Sequence, residues 1–165
     1  MKLAYLTAAA VLLAPIAFVA QPAQAFNTHT VILTGTLEVY DHGGLFGGSA
    51  TSTDAFDRRV TLTHNRPRAS VLVVECAGGE TRAELRVTLM LLGSEVVSSG
   101  PRLRLYEESR CDNNDLDDEN WPVAKNVALN TSRGWRLYVS NDEWGSYYDS
   151  ADAAFAVTNW PGAGP

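Results

Sequence analysis

The stretch Arg82-Ala83-Glu84-Leu85-Arg86-Val87-Thr88-Leu89-Met90-Leu91-Leu92 decides the fold. Ala83, Leu85, Val87, Leu89 and Leu91 are apolar, and Arg82, Glu84, Arg86 and Thr88 between them are polar. Period-2 alternation sets one row of side chains on a core face and the other on water, an order that a 3.6-residue helical period would scramble. A strand of this length has no stability alone, so other strands must pair with it and cover its apolar face.

Outward from it, the same pattern recurs. Residues 30–40 place Val31, Leu33, Leu37 and Val39 on one parity, and 56–64 do so with Phe56, Val60 and Leu62. Residues 69–76 contain Val71-Leu72-Val73-Val74, apolar on both faces, which predicts a central strand between two layers. Ala77-Gly78-Gly79-Glu80 reads as the hairpin turn into the organising strand. A short strand around Val96 and Val97 should stop at Pro101, which has no N–H for a ladder. Further strands are predicted over 102–108, 123–130, 135–140 and 152–159, and no stretch has a helical period. Eight or nine short strands with regular turns argue an all-β fold, an antiparallel β-sandwich with a closed barrel as the alternative.

Residues 1–25 read as a secretory signal: Lys2, an apolar run broken only by Pro15, and Ala23-Gln24-Ala25 as the cleavage pattern. The apolar run is too short for a permanent membrane span. Residues 26–165 then form one secreted domain, extracellular or periplasmic. With 19 acidic against 13 basic residues and a net charge of −6, the chain disfavours nucleic acid and anionic lipid as partners. Beyond Lys2 every basic residue but Lys125 is arginine, usage that suggests a high-GC bacterial coding sequence. Cys76 and Cys111, an even count in an oxidising compartment, read as one disulfide.

Three stretches carry candidate sites. In 112–120, Asp112, Asn114, Asp115, Asp117, Asp118 and Glu119 supply hard oxygen donors of the kind Ca²⁺ takes. The stretch reads either as a solvated acidic loop or as a loop-held Ca²⁺ site. An EF-hand is excluded, because counting from Asp115 puts Asn120 where the motif needs glycine and Asn126 where it needs glutamate. The long loop 41–55 surrounds Leu45 and Phe46 with glycines, and these two residues either fold back onto the core or present an apolar tip to a partner. The loop 141–149 holds Trp144, Tyr147 and Tyr148, which plug the core or form an aromatic anchor for a protein or a sugar.

Catalytic motifs are absent: His29, His42 and His64 are scattered, and no H-E-x-x-H or G-x-S-x-G occurs. Asp41, His42 and Asp54 are the residues on which a small secreted hydrolase would have to rest. The expectation is a non-catalytic binding module that presents loops to an extracellular protein partner, as an accessory or adaptor subunit of an assembly. A carbohydrate-binding module is the alternative.

Overall fold

A computed structural model describes residues 28–43, 48–93, 95–107, 111–112, 114–141 and 148–162. Among them are nine strands: β1 (Thr28–Asp41), β2 (Ala50–Thr63), β3 (Arg68–Ala77), β4 (Thr81–Leu92), β5 (Val96–Tyr106), β6 (Leu116–Asn120), β7 (Lys125–Ala128), β8 (Thr131–Ser140) and β9 (Ser150–Pro161). The described residues contain no helix, hence none that could cross a membrane. The signal-like stretch 1–25 lies outside the described residues.

All pairings are antiparallel. One sheet has the order β2-β1-β9-β8; the other runs β3-β4-β5-β6, with β7 also on β5. The two sheets form a sandwich and do not close into a barrel, because each keeps two edges. The organising strand is β4, held between β3 and β5 as its alternation requires. Its inward residues Ala83, Leu85, Val87 and Leu89 meet Val31, Leu33, Leu37 and Val39 of β1 in one continuous core. Each leucine so buried stabilises by about 1.5–3 kcal/mol relative to an exposed one.

In the β1 sheet a row crosses all four strands. Gly35 stands opposite Phe56 of β2 and Phe155 of β9, and Phe155 stands opposite Trp135 of β8. Trp135 and Phe155 stack with ring centroids 5.6 Å apart. At the far end from Asp41, the His29 ring Nδ1 donates to Asn159 Oδ1 at 2.9 Å, and Asn159 Nδ2 donates to the Val127 carbonyl at 3.0 Å. These buried polar groups are thereby satisfied. Beside them the Gly162 N–H donates to the Thr28 carbonyl at 2.8 Å, tying β9 to the start of β1.

Four expectations are corrected. β3 is an edge strand, and Leu72 and Val74 on its outer face are 45% and 44% exposed, where a central strand between layers was expected. β5 does not stop at Pro101. It runs through it, because residues 100–102 fall in the gap between the β7 pairing (96–99) and the β6 pairing (103–106), where no outer ladder needs the missing N–H. The acidic stretch is not a loop throughout: residues 116–120 are strand β6, whose backbone is paired to β5 and whose Glu119 is met by Arg102 and Arg104. The glycine-rich loop is shorter than 41–55, since β2 already begins at Ala50, paired with Asp41. The fusion across Pro101 and the addition of β6 cancel, which is why the expected strand count survives.

Candidate functional site

Three connections leave the same end of the sandwich: β1–β2, β5–β6 and β8–β9. Tyr40 pairs with Ser150 and Ser140 pairs with Ser150, so the first and third leave side by side. The β5–β6 connection joins them through Cys111, whose N–H donates to the Gly79 carbonyl at 3.0 Å. Cys111 is disulfide-bonded to Cys76, with Cα atoms 6.2 Å apart. The described roots of the glycine-rich, acidic and aromatic stretches therefore converge.

Their roots are fastened by a buried polar network centred on Asp149. Its Oδ1 accepts the His42 N–H at 2.6 Å, and its Oδ2 accepts the Thr81 hydroxyl at 2.8 Å. Its own N–H donates to Asn141 Oδ1 at 2.8 Å, while its carbonyl accepts the Asn141 N–H at 3.2 Å. Asn141 Nδ2 also donates to the Glu107 carboxyl. Asp41 lies on the inward parity of β1, continuing Leu37 and Val39, and its Oδ1 accepts the Gly43 N–H at 2.7 Å. Its Oδ2 lies against Gly78, where a Cβ would sit 1.5 Å away; with φ at +62°, that position admits only glycine. A buried acid on each of two strand ends, a hydroxyl from β4 and an amide after β8 thus hold three connections to one another.

The electrostatics follow from crowding carboxyls away from water. Burial raises the Asp41 carboxyl above its usual value; Asp149 adds to this, while the Gly43 N–H and His42 oppose it. Glu107 is pushed up to about 7, first by burial and then by the charge of Asp149. Below that pH the Glu107 carboxyl carries a proton.

Because the folded-state value is raised, this contribution to stability is complete below the ordinary glutamate value of 4.5 and is lost as pH rises through about 7. Glu107→Gln keeps an acceptor for Asn141 and a donor for Asp149 at every pH. The substitution should raise stability at pH 8 by about 1 kcal/mol, after discounting for solvent screening, and change little at pH 4. Thermal melts across that range check it. An equal shift at both pH values would mean that Glu107 is not the group that titrates.

The expected site residues are distributed as follows. Leu45, Phe46, Trp144 and Tyr147 lie outside the described residues; Tyr148 is described and half-exposed, next to Asp149 at the network. Asp112, Asn114 and Asp115 lead from Cys111 into β6. Asp117, Asp118 and Glu119 lie on β6, where alternation sends successive side chains apart. Asp118 Oδ2 accepts the Ser140 N–H at 3.1 Å, and Glu119 pairs with Arg102 and, at 3.4 Å, with Arg104. The Arg102 hydrogen bond holds the Glu119 carboxyl below its usual value. Among the described residues no three His, Cys, Asp or Glu side chains are grouped so as to hold a metal ion.

Asp41 and His42 do come together, but Asp54 lies further along β2, opposite Leu37 and 3.9 Å from Arg58. Thr81, Glu107 and Asn141 were not singled out by the sequence. The one available signal was Asp41 itself, an acid on the core parity of an apolar strand.

No protein-family model matches the chain, and no curated protein matches it. Among solved structures, the secretin InvG of the Salmonella SPI-1 type III secretion injectisome, in its open gate state, is similar at a TM-score of 0.31 and 9% sequence identity. That match covers 84% of this chain and 61% of the secretin chain, so the chain spans about three fifths of the solved secretin portion, residues 176 to its end. Likeness this slight informs neither mechanism nor partner.

Proposed function

We propose that the chain is a secreted, non-catalytic binding module that presents the converging loops at one end of its sandwich to a protein partner, as an accessory subunit of an extracellular assembly. The observation that carries this reading is the network on Asp149, which ties the roots of three connections together. Loops fixed at their bases lose less entropy on binding than loops that move independently. A disulfide at the same end suits an oxidising compartment outside the cytosol. Leu45, Phe46, Trp144, Tyr147 and Tyr148 belong to those connections and would supply the apolar and aromatic contacts that dominate interface energetics.

Capture on the immobilised chain from culture supernatant, followed by mass spectrometry, tests it. A single protein should be recovered near stoichiometry, and Tyr148→Ala or Trp144→Ala should cut recovery about tenfold. Recovery of nothing would sink the reading. Retention on insoluble polysaccharide that disappears in Trp144→Ala would favour a carbohydrate ligand instead.

A further inference from the structure

The loop end accounts for one pole of the molecule; a second surface lies on its flank. Register across the β3-β4-β5-β6 sheet builds three adjacent charged rows on the face turned away from the core, beyond which lie Ser70 and Arg68 of β3. Leu72, Arg86 and Arg102 form one row, and Val74, Glu84, Arg104 and Glu119 the next. Cys76, Arg82 and Tyr106 form the third, nearest the disulfide. Four arginines thus share these three rows with two glutamates, in a chain whose net charge is −6.

The glutamates are already committed. Glu119 serves both Arg102 and Arg104, while Glu84 pairs with Arg82 at 3.6 Å and accepts the Tyr106 hydroxyl at 3.3 Å. Arg86 is exposed and has no ion pair among the described residues, although it stands directly opposite Arg102. Glu119 compensates Arg102 from one side and leaves Arg86 without a carboxylate, so an anion laid between the two guanidiniums would turn a like-charge contact into an attractive one. Beneath them, Arg82 Nε has no hydrogen-bond partner among the described residues.

Apolar surface flanks the guanidiniums on both sides. Leu72 and Val74 project from the edge strand, and on the other side Trp121 is 69% exposed with the Arg102 guanidinium 4.9 Å from its ring centroid. Arginine beside exposed tryptophan and leucine is the composition of interface anchors.

We propose that this face docks an acidic, extended segment of a protein partner, with carboxylates between Arg86 and Arg102 and apolar side chains against Leu72, Val74 and Trp121. The arginine fork matches a carboxylate in two parallel hydrogen bonds, which orients such a segment as well as attracting it. An anionic polysaccharide fits less well, since Leu72 and Val74 offer nothing to hydroxyls or sulfates. This surface does not depend on the loop-end reading, and either can fail without the other.

The test uses the full mature chain and a fluorescein-labelled peptide alternating glutamate and leucine. A glutamine-for-glutamate peptide and heparin serve as comparison probes, and binding is followed by anisotropy at 20 mM and 150 mM salt, the lower of which spares surface electrostatics. The acidic peptide should bind saturably. Arg86→Ser and Leu72→Ser should each weaken it about tenfold, and the glutamine peptide should bind at least tenfold more weakly. Arg86→Ser removes an exposed like-charge contact, so its melting temperature should not fall, and a loss of binding cannot be put down to unfolding. Saturable binding of heparin that Leu72→Ser leaves unchanged would overturn the proposal in favour of a polysaccharide. A dimer in sedimentation that Arg86→Ser dissociates would overturn it in favour of a second copy of the chain. No saturable binding of the acidic peptide, or binding indifferent to Arg86→Ser, would overturn it outright.

Discussion

Cys76→Ser combined with Cys111→Ser is expected to cost about 3–4 kcal/mol, the chain-entropy value for releasing a loop closed across a separation of 35 residues. For a domain of this size that lowers the melting temperature by about 10–15 °C. The loss should not be spread evenly. Cys111 holds the root of the β5–β6 connection against Gly79, and Thr81 two residues beyond is the hydroxyl that Asp149 accepts. Without the bond, the network on Asp149 loses one of the elements that keeps its partners adjacent. Melts of the double variant, and of the wild-type chain with and without a thiol reductant, measure the effect. Hydrogen exchange should show opening first at the turn 78–80 and at 148–150. A loss under about 1 kcal/mol would mean that the cross-link does not restrain this end.

Gly35→Ala should destabilise by about 3 kcal/mol. The sign is what makes this informative. A glycine inside a strand ordinarily weakens it, and alanine at an unstrained position commonly stabilises by about 0.4–1 kcal/mol. Here a Cβ would lie 2.3 Å from the Ala154 carbonyl oxygen and 2.4 Å from the Phe155 Cβ, on a neighbouring strand whose backbone cannot yield unless β1 and β9 part. The missing side chain is also what lets Phe155 and Phe56, on either side of Gly35, approach to a centroid distance of 6.4 Å over the strand between them. Urea unfolding decides the matter: a variant as stable as wild type would show that the row has slack.

Much of the architecture was legible because it rests on parity. β4 alternates from Thr81 to Leu89, and β1 keeps the same parity from Val31 to Val39, so pairing and the buried face follow from residues two apart. The failures occur where parity was outweighed. Val71-Leu72-Val73-Val74 looks like a strand buried on both sides, yet its outer residues lie beside Arg86 and Glu84 and are not under a second layer. Pro101 looks like a stop only if every residue of β5 must be laddered on both sides, and it need not be.

The acidic stretch looks like a loop throughout until residues 116–120 are seen paired to β5 with Glu119 beside Arg102 and Arg104, a strand that its own charges obscured. The loop-end network was harder still to foresee. Asp149 meets Thr81 across 68 residues and His42 across 107, and no local pattern announces contacts at such separations.

The hydrogen bond from Gly162 to Thr28 has a practical corollary. It closes β1 and β9 together at the pole opposite Asp41 and Asp149, so the described chain enters and leaves the sandwich at adjacent points. A tether fixed at either point would set the molecule upright on a surface with the network of Asp149 facing outward. A short linker joining the two points would allow new termini to be cut elsewhere, with no strand drawn from its place.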